Sequence, residues 1–154
     1  MQTSPPAVRY EAVTDLLVLK MHPGEELPAE CVMQPVDIDM PPVMRLTAMV
    51  GMDDARIYAF GVSPASIFVP AGVIRAAPTP IAPVETEPDT WLLPLFDGAQ
   101  RAAAGSLPLD LLDGWPPVTL LLANSGRMVG LTVPAARRRL VESLWSGDAT
   151  PPHA

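Results

Sequence analysis

The sequence predicts a mainly β domain: a small antiparallel sandwich or barrel with proline-rich extended arms and one C-terminal amphipathic helix. An α+β arrangement is the alternative. Three observations carry this reading. Apolar residues make up 49% of the 154 positions and charged residues 18%, enough apolar side chains for one core and too few charges for a disordered chain. Twenty prolines and ten glycines interrupt the stretches in which a long helix could propagate. The apolar blocks between these breakers are short, and several are rich in β-branched and aromatic side chains.

The chain 1–154 reads as a single domain. Its first apolar block, Leu16-Leu17-Val18-Leu19, lies within Tyr10–Met21 and stops at Pro23-Gly24, which suits a buried strand bounded by a turn. Pro35–Pro42 alternates apolar and acidic side chains, and its prolines restrict it to an edge strand or an extended loop. A meander follows in Met44–Val50, Arg56–Val62 and Ser66–Ile74. Its first connection, Gly51 to Ala55, has the glycine and aspartates of a hairpin loop. Pro70 demotes the third segment to an edge or a bulge.

Residues 76–89 hold four prolines, three acids and no basic residue, the composition of an extended strap. Beyond it, WLLPLFDG at 91–98 and LPLDLLDG at 107–114 are similar phrases built from common residues. Between them Asp97 can cap a short helix over Ala99–Ala104, with Gly105 ending it. Val118–Ala123 and Arg127–Val133 flank Asn124-Ser125-Gly126, a three-residue hairpin loop whose glycine can take the left-handed position. Pro134 and Gly147 bracket a helix over 134–146 in which Ala136, Leu140 and Leu144 form an apolar stripe. Arg137, Arg138 and Arg139 fall mainly off that stripe, fanning over about 200° of the helix.

Catalytic constellations do not assemble from this sequence. It has two histidines, His22 beside a Pro-Gly turn and His153 next to the C-terminus, and no glycine-rich phosphate loop, GxSxG elbow, HExxH or paired CxxC. His22 with Glu25 or Glu26 is the one dyad from which a small enzyme could be built. The pairs Asp37/Asp39 and Asp53/Asp54 lack the spacing of a calcium loop. Six methionines crowd the span 21–52 with Cys31 among them; their gaps are irregular for copper(I), and core or interface packing accounts for them better. No cofactor or metal is expected. Net charge is −7 with ten basic residues, which argues against wrapping a phosphate backbone. The longest apolar runs fall far short of a membrane span, and the N-terminus lacks a secretory pattern. The product is therefore expected to be soluble, in the cytoplasm or in a virion assembled there.

What remains is an interaction surface. Trp91, Trp115 and Trp145, the methionines Met40, Met44 and Met49, and the run Arg137–Arg139 are the candidate interface residues, since tryptophan, methionine and arginine are favoured in such surfaces. For the arginines, a solvated helix face or salt bridges to the acids of the strap at 85–89 is a better account than a grip on phosphate or carboxylate groups. An N-terminal arm, 1–8, and a C-terminal tail, 148–154, have the composition of ends that fray unless a neighbouring chain holds them. The favoured reading is a non-enzymatic assembly protein packing into a larger oligomer, such as a capsid decoration or head–tail joining component of a virion. A regulatory or chaperone-like module using the methionine-rich surface is the second reading, and the His22 enzyme the third.

Overall fold

The computed structural model describes residues 7–21, 31–39, 43–52, 54–110 and 114–141. The fold is mainly β, built from two antiparallel sheets. The front of the chain supplies β1 (Ala7–Glu11), β2 (Leu16–Lys20), β3 (Cys31–Ile38), β4 (Met44–Gly51) and β5 (Ile57–Ser63). Two short helices follow, α1 (Ala65–Phe68) and α2 (Ala71–Ala76), and then β6 (Thr79–Pro80). The back supplies β7 (Val84–Glu87), β8 (Thr90–Pro94), α3 (Ala99–Ala102), β9 (Gly105–Leu109), β10 (Val118–Leu122), β11 (Met128–Pro134) and α4 (Ala136–Arg139). The six-stranded sheet runs β3-β4-β5-β2-β1-β6 and the five-stranded sheet β7-β8-β11-β10-β9.

Register explains where the core sits. Ala48, Phe60, Leu19 and Val8 stand opposite one another across four neighbouring strands, all fully buried. Two residues along, Leu46, Val62 and Leu17 repeat that row on the same face, as the period of two requires. In the second sheet Leu93, Leu131 and Leu120 align in the same way. These rows belong to one continuous apolar cluster shared by both sheets, the arrangement of a sandwich. Both sheets are open rather than closed into a barrel.

The hairpins follow the sequence reading. β4 and β5 pair across the Gly51 connection with a bulge at Met49/Val50, and β10 and β11 pair across Asn124-Ser125-Gly126, where Gly126 has φ 86°. β3 is an edge strand containing Pro35. The strap is more than a connector. Thr79 and Pro80 pair with Val8 and Ala7 as the edge of the first sheet, and Val84–Glu87 pairs with β8 as the edge of the second. Ala7 and Val8, read from sequence as part of an arm, are buried strand residues. Residues 1–6 and 148–154 lie outside the described residues.

Three expectations are corrected. The segment 66–74 is helical, not a strand. Pro64 and Pro70 stand at the N-caps of α1 and α2 with φ −72° and −57°, positions where a missing N–H costs nothing. Ala65, Phe68, Val69 and Val73 are the buried side chains there, a three-to-four-residue spacing rather than alternation. The alanine helix begins at Gly98 in a left-handed conformation with no side-chain cap, so Asp97 is not its cap. The C-terminal helix is a single turn. Leu140 is extended, with φ −94° and ψ 154°. It bridges to Ile57, whose carbonyl then accepts the Val141 N–H at 3.1 Å. That N–H is thus spent on the first sheet instead of on a second helical turn. The four helices among the described residues span four to six residues each, too little for the α+β alternative.

Candidate functional site

Arginine side chains tie the loops together. Arg127 Nη1, on the β10–β11 loop, donates to the carbonyls of Ser66 at 3.2 Å and Val69 at 2.9 Å. Arg56 Nη1, at the start of β5, donates to Arg137 O at 2.7 Å and Leu140 O at 2.8 Å. Arg139 Nη1 donates to Pro116 O at 2.8 Å and Pro134 O at 3.4 Å. Each cation thereby satisfies backbone carbonyls in or beside helices, in a loop or at a strand end.

Arg139 differs from the other two in being fully buried. Its guanidinium lies 5.2 Å from the centre of the Trp115 ring, and that of Arg138 lies 5.3 Å from the same ring, both within cation–π range. Nε and Nη2 of Arg139 have no hydrogen-bond partner among the described residues. These two N–H groups form one edge of the planar fork, the edge that meets a carboxylate in a bidentate pair. Burial pushes the Arg139 pKa down to about 10, which still leaves it cationic at neutral pH.

The structure thus brings Trp115, Arg138 and Arg139 into one cluster and leaves the other candidates apart. Arg137 is exposed. The strap does meet the arginine run, but through main-chain amides: Asp89 Oδ1 accepts the Arg137 N–H at 2.9 Å and Asp89 O the Ala136 N–H at 3.0 Å. Asp89 is held for this by a left-handed φ of 58° and by its own N–H donating to Glu85 Oε2 at 2.8 Å. Trp91 is half-buried against the core. Met44 and Met49 are buried and so are unavailable as surface. Met33 and Met52, at the same end of the β3–β4 ladder, are 56% and 64% exposed, and Val32 beside them is 38% exposed. Met40, Trp145, His22, Glu25 and Glu26 lie outside the described residues.

Of the acidic pairs, Asp37 makes an ion pair with Arg45 at 2.7 Å, and that hydrogen bond holds its carboxyl below the usual range. Asp15 accepts the Tyr10 hydroxyl at 2.7 Å and both the backbone N–H and the hydroxyl of Ser66; the Ser66 and Tyr10 bonds lower its pKa. Asp54 accepts the Tyr58 hydroxyl at 2.6 Å. Burial and, second, Asp54 raise the pKa of the Cys31 thiol, which leaves it a poor nucleophile. No group of three His, Cys, Asp or Glu side chains among the described residues is placed to hold a metal ion. A groove of 610 Å³ runs under the strap, between Val73 and Ala76 of α2 and Leu92, Phe96 and Arg101 on the other side. No described helix is long and apolar enough to cross a membrane.

Sequence reasoning placed Arg139 with its neighbours, off the apolar stripe. The signal that finds it is the helical period itself: Ala136, Arg139 and Leu140 stand at i, i+3 and i+4, one face of a turn, and all three are buried. By fold the chain is a two-sheet antiparallel β protein whose described chemistry centres on paired arginines against an indole. Comparisons with protein-family models, with curated proteins and with solved structures find no match.

Proposed function

We propose that this chain is a non-enzymatic assembly protein that packs through its sheet surface into a larger oligomer. The observation that carries the reading is apolar exposure at the open end of the β3–β4 ladder, where Val32 and Met33, on opposite faces of the edge strand, and Met52 just past Gly51 are all open to solvent. Unbranched methionine side chains adapt to a partner's contours, and clustered apolar exposure is a feature of interaction surfaces. The mode of contact follows from the edges. β3, β6 and β9 contain Pro35, Pro80 and Pro108, and β7 is bulged and carries Glu85 and Glu87, all devices that blunt strand-to-strand addition. Association through side chains is therefore favoured over sheet extension. The small chain and its proline-rich segments support a packing subunit of a particle, the capsid-decoration or head–tail-joining kind, as the specific form.

Native mass spectrometry of the full chain tests the reading. The wild-type chain is expected to form a defined multimer, and a Met33→Glu, Met52→Glu variant with unchanged circular dichroism is expected to shift to monomer. A wild-type chain that is monomeric both when purified alone and as isolated from its source would refute it.

A further inference from the structure

We propose that the Trp115–Arg138–Arg139 cluster receives a carboxylate from an acidic segment of the assembly partner, seated on the Nε–Nη2 edge of Arg139. The inference rests on the assembly reading and names the partner's chemistry. Four observations carry it. The Pro116 and Pro134 carbonyls occupy Nη1 and so fix the plane and direction of the fork. Nε and Nη2 are buried without an acceptor among the described residues, and an indole face attracts the cation without accepting in-plane N–H groups. Neither Arg138 nor Arg139 has a carboxylate partner among the described residues. Asp89, the acid that meets this segment, is committed to backbone amides.

A buried guanidinium with two open donors is costly, and a group that supplies both acceptors and an opposite charge removes that cost. A carboxylate is flat and matches the spacing of the two N–H groups in one plane. The route in passes the half-buried Trp115 ring, which is flanked by exposed Gly114, Pro116 and Pro117. Exposed Arg138, over the same indole, is the group that draws a second acidic side chain of the same segment. Because Arg139 is fully buried, seating a carboxylate on this edge requires the indole edge to move, so occupancy would couple the tryptophan to the bound state.

The test follows the side-chain Nε–H resonance of Arg139 in the ¹⁵N-labelled full chain, with a hexaglutamate peptide as probe and inorganic phosphate at matched ionic strength as control. Hexaglutamate is expected to move that resonance saturably, and phosphate to leave it in place. Arg139→Lys, which keeps the charge and loses the fork, is expected to weaken binding about tenfold or more. Arg138→Glu, at an exposed position, keeps the question open to decision if Arg139→Lys fails to fold, and is expected to abolish binding. An Arg139 resonance indifferent to hexaglutamate overturns the proposal. So does one already hydrogen-bonded in the free chain and altered by Asp113→Asn or Glu142→Gln, which would make the carboxylate the chain's own. Persistence of the multimer without any hexaglutamate effect sinks this inference alone, whereas hexaglutamate binding to a permanently monomeric chain sinks the assembly reading alone.

Discussion

Tyr58 and Asp54 show how one hydrogen bond changes what a side chain titrates. The bond to Asp54, with burial second, pushes the Tyr58 hydroxyl up to about 12, and the corresponding bond to Asp15 raises Tyr10. These are the two tyrosines of the chain. Between pH 10 and about 12 the folded chain keeps a Tyr58 proton that the unfolded chain has released, so stability falls as pH rises through that window. Tyrosinate absorbance of the folded chain is expected to lag behind that of the chain in urea, and Tyr58→Phe is expected to flatten the stability loss between pH 10 and 12. Coincident folded and unfolded titrations would show that the Asp54 bond does not persist in solution.

At the scale of the element, close approach between strands decides which residue is tolerated. Gly130 lies in β11 directly against β8. A Cβ placed there would stand 3.0 Å from the Leu93 carbonyl oxygen, 3.3 Å from Leu92 Cδ1 and 3.4 Å from Pro94 Cα. Two of these three contacts are backbone of the paired strand and cannot swing aside, unlike a side-chain tip. Gly130→Ala is therefore expected to cost about 1–3 kcal/mol by overpacking, read as a lower urea midpoint with an unchanged slope. Gly126 presents the opposite case, since its space is open and its constraint is the positive φ alone. The proline positions follow the same logic of backbone supply and demand. Edge strands and helix starts accept a residue without an N–H, and Pro35, Pro64, Pro70, Pro80 and Pro108 all stand in such places.

Across the whole molecule, the two sheets share a core and the arginines hold its periphery. Arg127 carries the most distant of these ties within the described loops of the second sheet, reaching from the β10–β11 turn to carbonyls of α1 and its C-cap. Arg127→Met keeps much of the aliphatic bulk and removes both donors. It is expected to cost about 1–3 kcal/mol by leaving the partly buried Val69 carbonyl unpaired, and to raise hydrogen exchange in residues 65–76 before the core rows. Uniform exchange across both sheets and α1–α2 would mean that the tie is not local. Arg56 works similarly on the C-terminal turn, which is why that segment leaves helix geometry after Arg139 to follow Ile57.

The alternation of short apolar blocks with glycine and proline determined, without coordinates, a mainly β chain with hairpins at 51–55 and 124–126. Those signals are local: a glycine that can take positive φ and side chains that repeat every two residues act within a few positions of themselves. The same local reading misjudged 66–74 because a short apolar run satisfies both periods, and only the prolines at each N-cap resolve it. It extended the last helix too far because Leu140 and Val141 have helical spacing, while Ile57 and Arg56, more than eighty residues away, claim their backbone groups. The split between interior and surface methionines, the paired edges made by one strap and the burial of Arg139 among three adjacent arginines were decided by tertiary structure. Each depends on which distant carbonyl or strand arrives beside a residue, and no spacing along the chain encodes that meeting directly.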